Sequence, residues 1–228
     1  MWFLHFDPLY WLMLAPALLL GLWAQARVKS AFARADQIPA PMTGAAAARY
    51  VLDSAGLQGV AIEPVDGFLS DHYDPRSKVL RLSPQVYQSR TMAAVGIAAH
   101  EAGHAIQDKS RYPLMIVRNA MVPVASFGGG ISMTLLMAGV LLHLAALVQI
   151  AIILFSAAVF FQIVNLPVEF DASNRAKAQL DALGVVPRQE QEHVREVLNA
   201  AAWTYVAGTL QSVMTLLYFI MRFAGDRR

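Results

Sequence analysis

The chain contains no cysteine. Disulfides are therefore excluded, and any metal site must be built from histidine and carboxylate. Charge is scarce too: Asp, Glu, Lys and Arg make up 15% of the 228 residues and hydrophobic types 57%, a balance that makes the bilayer part of the solvent. The formal net charge is only +2, and no run of Lys and Arg forms the basic footprint that a nucleic-acid partner needs. No internal repeat or low-complexity linker is present. Gly128-Gly129-Gly130 is not followed by Lys-Ser/Thr and sits in an apolar run, so it is no phosphate loop. From residue 120 to 164 there is no Asp, Glu, Lys or Arg, whereas a transporter working through ionisable groups would carry them in mid-span.

Four apolar runs stand out instead. Residues 8–24 carry aromatics at both ends and span about 25 Å as a helix, more if residues 3–6 join in. Pro16 is tolerable there, because neighbouring helices can satisfy the freed carbonyl. Ala24-Gln25-Ala26 resembles a signal-peptidase site. The start of the chain, however, has no Lys or Arg, and Arg27, Lys29 and Arg34 follow the apolar run at once. That charge step predicts an uncleaved anchor with its N-terminus outside. Residues 114–142 and 144–164, parted only by His143, predict a tight membrane hairpin. Arg118 can snorkel to the surface, and His143 reads as an interfacial residue. Residues 203–223 are apolar enough to span in spite of Thr204, Gln211, Ser212 and Thr215. Arg222, Arg227 and Arg228 oppose the positive-inside tendency at this run: either the helix is tilted or interfacial, or the other basic residues outweigh them.

Between these runs the chain is mixed. Thr43 predicts a helix N-cap and Gly56 a helix end. Residues 60–65 and 78–82 read as strands, with Pro64 confining the first to a sheet edge and Asp74-Pro75-Arg76-Ser77 forming a turn between them. Ser83-Pro84 has the chemistry of a helix start, and a further helix is expected over about residues 89–107. Gly184 is placed to end another helix and Pro187 to open the next. The expected organisation is an N-terminal transmembrane anchor (1–26), a soluble α+β part (27–113), a transmembrane hairpin (114–164), a helical segment (165–202) and a C-terminal transmembrane or interfacial helix (203–228).

The chemistry-bearing stretch is Ala99-His100-Glu101-Ala102-Gly103-His104-Ala105-Ile106-Gln107. A helical spacing of four puts both imidazoles on one face with Glu101 beside them. Two neutral imidazoles on one ridge suit a zinc ion, and an unligated carboxylate next to them can take a proton from water acidified by the metal. Catalytic zinc keeps three protein ligands and one water, so a third ligand is required; His5, His72, His143 and His193 are candidates on side-chain chemistry, as are several carboxylates. Glu169 fits best. It lies roughly 7.5 Å of helix rise beyond the apolar end of the third run, and the membrane hairpin would bring it to one surface with His104, which precedes the second run across the Pro113 break. Asp171 is the runner-up. Oxyanion donors could come from His72, Tyr73, His193, Tyr205 or Arg175, and the sequence does not choose among them. A non-catalytic zinc-binding membrane scaffold is the alternative function; against it, a purely structural site needs no free carboxylate and is closed by four ligands.

HEAGHAIQ, the upstream SDHYDPRSKVLRLS and the downstream LPVEFDASNRA together resemble the YugP-like family of membrane neutral zinc metallopeptidases over nearly the whole chain. More distantly the layout is similar to HtpX and the CAAX prenyl proteases. The resemblance implies His100, His104 and Glu169 as ligands of one catalytic zinc ion, and Glu101 as the base. It implies that residues 71–74 occupy the place of an edge strand lying along substrate. Four residues after Glu169 those distant relatives carry a supporting Asp, where this chain has Ser173; the role then passes to Asp171 or is absent. The expected protein is mostly α: a polytopic helical membrane protein of about four spans, with a small α+β zincin-like metallopeptidase part at the cytoplasmic face. Its expected activity is zinc-dependent endopeptidase hydrolysis of membrane or membrane-associated polypeptides, in the cytoplasmic (inner) membrane of a bacterium with the lipid bilayer as its other partner.

Overall fold

A computed structural model describes residues 7–67 and 70–223. Residues 3–6, His5, Arg227 and Arg228, which entered the sequence argument, lie outside them. The elements are α1 (Pro8–Asp36), α2 (Gly44–Ser54), β1 (Ala61–Pro64), β2 (His72–Asp74), β3 (Val79–Leu82), α3 (Pro84–Gln88), α4 (Met92–Lys109), α5 (Pro113–Leu141), α6 (Ala145–Leu183) and α7 (Gln191–Phe223). The protein is mostly helical with one small sheet, and α1, α5, α6 and α7 are long and apolar enough to cross a membrane. By contact the chain divides into two units, one made of residues up to 23, 117–166 and from 203 onward, the other of residues 24–116 and 167–202.

In the first unit α5 and α6 form a hairpin whose tip places His143 in the left-handed region at φ 56°. The Leu144 amide closes the turn by donating to the Gly139 carbonyl at 2.8 Å. A Cβ at Gly139 would lie 2.8 Å from the Val148 nitrogen, so glycine is what lets the two arms meet this closely. Leu136, Val148, Ala151, Tyr218 and Phe219 make its buried core. Leu12, Leu19, Leu22 and Ile153 face outward and exposed, as expected of helices solvated by lipid tails rather than water.

In the second unit Thr43 caps α2 by accepting from the Ala46 amide at 3.2 Å, and Gly56 follows the helix at φ 67°. The sheet runs in the order β1-β3-β2, with β1 parallel and β2 antiparallel to the central β3. Pro64 therefore sits on an edge strand, where its missing N–H costs no ladder bond. β2, only three residues long, is too short to show an alternation of its own. The zinc-motif helix starts at Met92 rather than near residue 89. Ser89 and Arg90 have their carbonyls engaged elsewhere, accepting from the Gly44 and Ala40 amides at 3.2 and 2.9 Å. Thr91 then caps α4 by accepting from the Ala94 amide at 3.3 Å. Pro187 likewise opens a turn, closed by the Glu190 amide on its carbonyl at 2.8 Å, and α7 begins only at Gln191. α4 is almost entirely buried, packed among Val51, Leu52, Leu80, Leu82, Val168 and Leu180.

Candidate metal centre

α4 and α6 supply the residues of the site, all within the second unit. His100 and His104 are one helical turn apart on α4, their rings 4.8 Å between centroids and edge to face. α6 brings Glu169 against them: its Oε2 lies 3.3 Å from His100 Nε2 and 3.7 Å from His104 Nε2. One ligand atom from each of the three comes within 4.8 Å of the others. Glu169, His104 and Glu101 are buried, at 5%, 7% and 9% exposure, so the centre is largely shielded from bulk water. Gly103 makes the approach possible. A Cβ there would lie 2.5 Å from the Ala172 carbonyl oxygen on α6.

The outer ring nitrogens are held as well. His100 Nδ1 lies 3.1 Å from Ser173 Oγ, and His104 Nδ1 lies 2.9 Å from Gln107 Oε1. The Gln107 amide nitrogen donates to the Val168 carbonyl at 2.7 Å and to Asp171 Oδ2 at 2.8 Å. Asp171 in turn accepts from Arg175 Nε at 2.5 Å, and the Arg175 guanidinium lies over the Tyr112 ring at 5.9 Å. Burial, the largest single influence on His104, pushes its imidazole down. A hydrogen bond with Glu169 and the charges of Glu101 and Glu169 outweigh that, and the net direction is up. A buried imidazole drawn toward its cationic form by two carboxylates marks a pocket that favours a positive charge.

The donor set fits zinc: two imidazole nitrogens and one carboxylate oxygen, no thiolate, and each imidazole turned by a hydrogen bond at Nδ1 to present Nε2. The other sequence candidates are placed as follows. His72 is exposed on β2, its Nδ1 2.7 Å from the Ser70 carbonyl. Tyr73 is buried and its hydroxyl donates to Asp108 Oδ2 at 2.7 Å, an oxygen that also pairs with Lys78. His193 pairs with Glu190 at 3.5 Å. Tyr205 lies on α7 in the other unit and is 39% exposed. None of these is within the His100, His104 and Glu169 cluster. Gln107 was not singled out by the sequence reading. The available signal was its position three residues after His104, on the same helix face and amid apolar neighbours.

A family model described as "Putative neutral zinc metallopeptidase" matches residues 10–224. The chain is 46% identical over 213 residues to the "Putative membrane protease YugP" of Bacillus subtilis (strain 168), covering 92% of this chain and 95% of that relative. No solved structure matches. With nearly every residue inside the family match and a His, His, Glu cluster able to hold zinc, the chain belongs to the neutral zinc metallopeptidase family so described.

Proposed function

We propose that the protein is a membrane-embedded, zinc-dependent endopeptidase that hydrolyses peptide bonds of membrane or membrane-associated proteins at the cytoplasmic face. The observation that carries this reading is the convergence of His100, His104 and Glu169 from two helices, with buried Glu101 adjoining His100. Three protein donors leave a fourth position open, as in catalytic rather than structural zinc sites. When bound, zinc supplies Lewis acidity, acidifying water and polarising a carbonyl. The chain's own residues do the rest. His100 and His104 present Nε2, steadied from behind by Ser173 and Gln107. Glu169 supplies the negative charge that offsets a buried cation. Glu101 accepts a proton from the attacking water and returns it to the leaving amine nitrogen.

Placement follows from the sequence pattern. α6 is 39 residues long, or roughly 58 Å, nearly twice the thickness of a hydrocarbon core. Its apolar first part can cross the bilayer while the same helix continues to Glu169. Arg27, Lys29 and Arg34 follow the first apolar run, which favours a cytoplasmic location for the part they begin. β2 pairs on one side only among the described residues. Its free edge offers main-chain donors and acceptors to an extended peptide, in keeping with a zincin-like arrangement, and the inner membrane of a bacterium is the setting this topology suits.

The test is purification in detergent, measurement of bound zinc, and cleavage of an unfolded casein-like or membrane substrate by wild type and Glu101→Gln. The expected result is about one zinc in both proteins, with cleavage lost in the variant. Chelator treatment should abolish wild-type cleavage and added zinc restore it. Equal cleavage by the two proteins would remove Glu101 from the mechanism, and absence of zinc would remove the reading itself. Glu169→Ala should lose zinc; loss only in Asp171→Ala would transfer the ligand role.

A further inference from the structure

Gln107 is the only fully buried amide side chain in contact with a candidate ligand among the described residues, at 0% exposure, and its partners fix which way round it sits. A main-chain carbonyl can only accept. The Val168 carbonyl lies 2.7 Å from one end of the Gln107 amide, and Asp171 Oδ2, which already receives Arg175 Nε, lies 2.8 Å from the same end. That end is therefore the nitrogen, with both of its hydrogens used. The oxygen is left facing His104 Nδ1 at 2.9 Å. An amide oxygen only accepts, so Nδ1 carries the hydrogen, and in the neutral ring Nε2 keeps its lone pair on the side of Glu169.

We propose that Gln107 is a positioning residue of the zinc site, setting the tautomer of His104 and tying the two ligand-bearing helices together through the Val168 carbonyl, one residue before Glu169. The inference rests on the zinc reading above. A ligating imidazole usually gives its outer N–H to a carboxylate or a carbonyl. Here an amide is inserted between carboxylate and imidazole: Asp171 orients Gln107, and Gln107 orients His104. The insertion transmits direction without setting another carboxylate directly on the ring. Arg175 anchors the far end of the relay on Asp171 and is itself steadied over Tyr112. Because Val168 and Glu169 are neighbours on α6, the side chain that aims His104 through its oxygen also fixes the height of Glu169 along α4 through its nitrogen.

The experiment measures zinc affinity by competition with a coloured chelator on the full-length protein in detergent. It compares wild type with Gln107→Met and also reads the tautomer of His104 in the zinc-free proteins by nitrogen NMR at a pH where the ring is neutral. Met keeps the volume but offers no acceptor to Nδ1 and no donor to the Val168 carbonyl. Gln107→Met should weaken zinc binding about 10- to 100-fold, and the His104 ring, held as Nδ1–H in wild type, should lose that preference in the variant, a change that simple loss of packing would not give. Wild-type affinity in a folded Gln107→Met would overturn the proposal, as would an unchanged His104 tautomer. If Gln107→Met does not fold, the wild-type spectrum decides: the Nδ1–H form supports the relay, and the Nε2–H form overturns it. A wild type that binds no zinc defeats the earlier reading instead, so the two failures are distinct.

Discussion

Gly103 on α4 passes Ala172 on α6 so closely that a Cβ on Gly103 would lie 2.5 Å from the Ala172 carbonyl oxygen and 3.2 Å from its Cα. The atoms in the way are backbone, which cannot rotate aside. The glycine inside His100-Glu101-Ala102-Gly103-His104 is thus a packing requirement for bringing Glu169 to the two histidines.

Gly103→Ala tests that requirement. Alanine favours helix by about 1 kcal/mol over glycine, so on propensity alone the change would stabilise α4. Overpacking against backbone costs about 1–3 kcal/mol and should prevail, and relieving it separates α4 from α6. Zinc distances tolerate only about 0.2 Å. The expected outcome is at least a tenfold loss of zinc affinity with a small fall in melting temperature, measured by chelator competition and thermal unfolding. Unchanged zinc affinity would show that α6 reaches the site without the close approach.

Ser173 takes up a second prediction. Its Oγ lies 3.1 Å from His100 Nδ1 and it is buried, at 5% exposure. The position four residues after Glu169 therefore touches the outer nitrogen of His100, although the residue is a serine. Ser173→Ala should weaken zinc binding about tenfold by leaving Nδ1–H without an acceptor. Ser173→Asp should bind at least as tightly as wild type, since a carboxylate acceptor makes the imidazole more basic. The order Asp, then Ser, then Ala is the result to look for in chelator titrations. Equal affinity for Ser and Ala would make the contact incidental.

Acid should loosen the turn between β2 and β3 before it touches the core. Asp74 accepts from the Ser77 hydroxyl at 2.6 Å and the Arg76 amide at 2.9 Å. The Ser77 hydrogen bond first, and then the Arg76 amide, hold its carboxyl below the ordinary carboxylate range. A carboxyl depressed in the folded state contributes stability above its unfolded value of about 3.9 and loses it as pH falls further. Protection of the amides over residues 72–82, measured against their intrinsic exchange, should therefore fall progressively below about pH 4 in wild type. In Asp74→Asn protection should be lower at neutral pH and lack that acid-dependent step. A variant with the wild-type acid profile would place the sensitive group elsewhere.

Several features were legible in the sequence because each left a local mark. The four apolar helices show as long uncharged runs, the α2 cap as Thr43, the edge strand as Pro64, and the histidine pair as a spacing of four. Other features depend on the meeting of distant residues. β2 has three residues, too few for a period of two to register, so the resemblance rather than the residue pattern points to an edge strand there, and pairing with β3 makes it one. The delay of α4 to Met92 comes from Ala40 and Gly44, whose amides occupy the carbonyls of Arg90 and Ser89. Pro187 has the chemistry of a first helical residue, yet the turn it opens ends before α7 begins. Gln107 looks like helix filler until Val168 and Asp171 arrive from α6. Glu169 could be picked out from its distance beyond the apolar run, but Ser173 could not be given a role until the two helices were set side by side.

Tyr73 distinguishes a group that supports the fold from one that acts on substrate. It is a buried member of the second unit's core, and its hydroxyl donates to Asp108 Oδ2 at 2.7 Å. Burial first, and then Asp108, push its phenol well above the ordinary tyrosine value. Asp108 lies in the last turn of α4 and also pairs with Lys78 beside β3, so the cluster fastens the sheet to the zinc-motif helix. Tyr73→Phe keeps the ring packing and removes one hydrogen bond to a carboxylate that Lys78 still partners. The expected cost is about 1–2 kcal/mol of stability, seen as a lower melting temperature. Zinc affinity and cleavage rate should stay within about threefold of wild type. An oxyanion donor would behave oppositely, with removal lowering turnover about 10²- to 10³-fold. Stability and turnover measured on the one variant therefore separate the two roles, and a large fall in turnover at unchanged melting temperature would move Tyr73 from the scaffold to the chemistry.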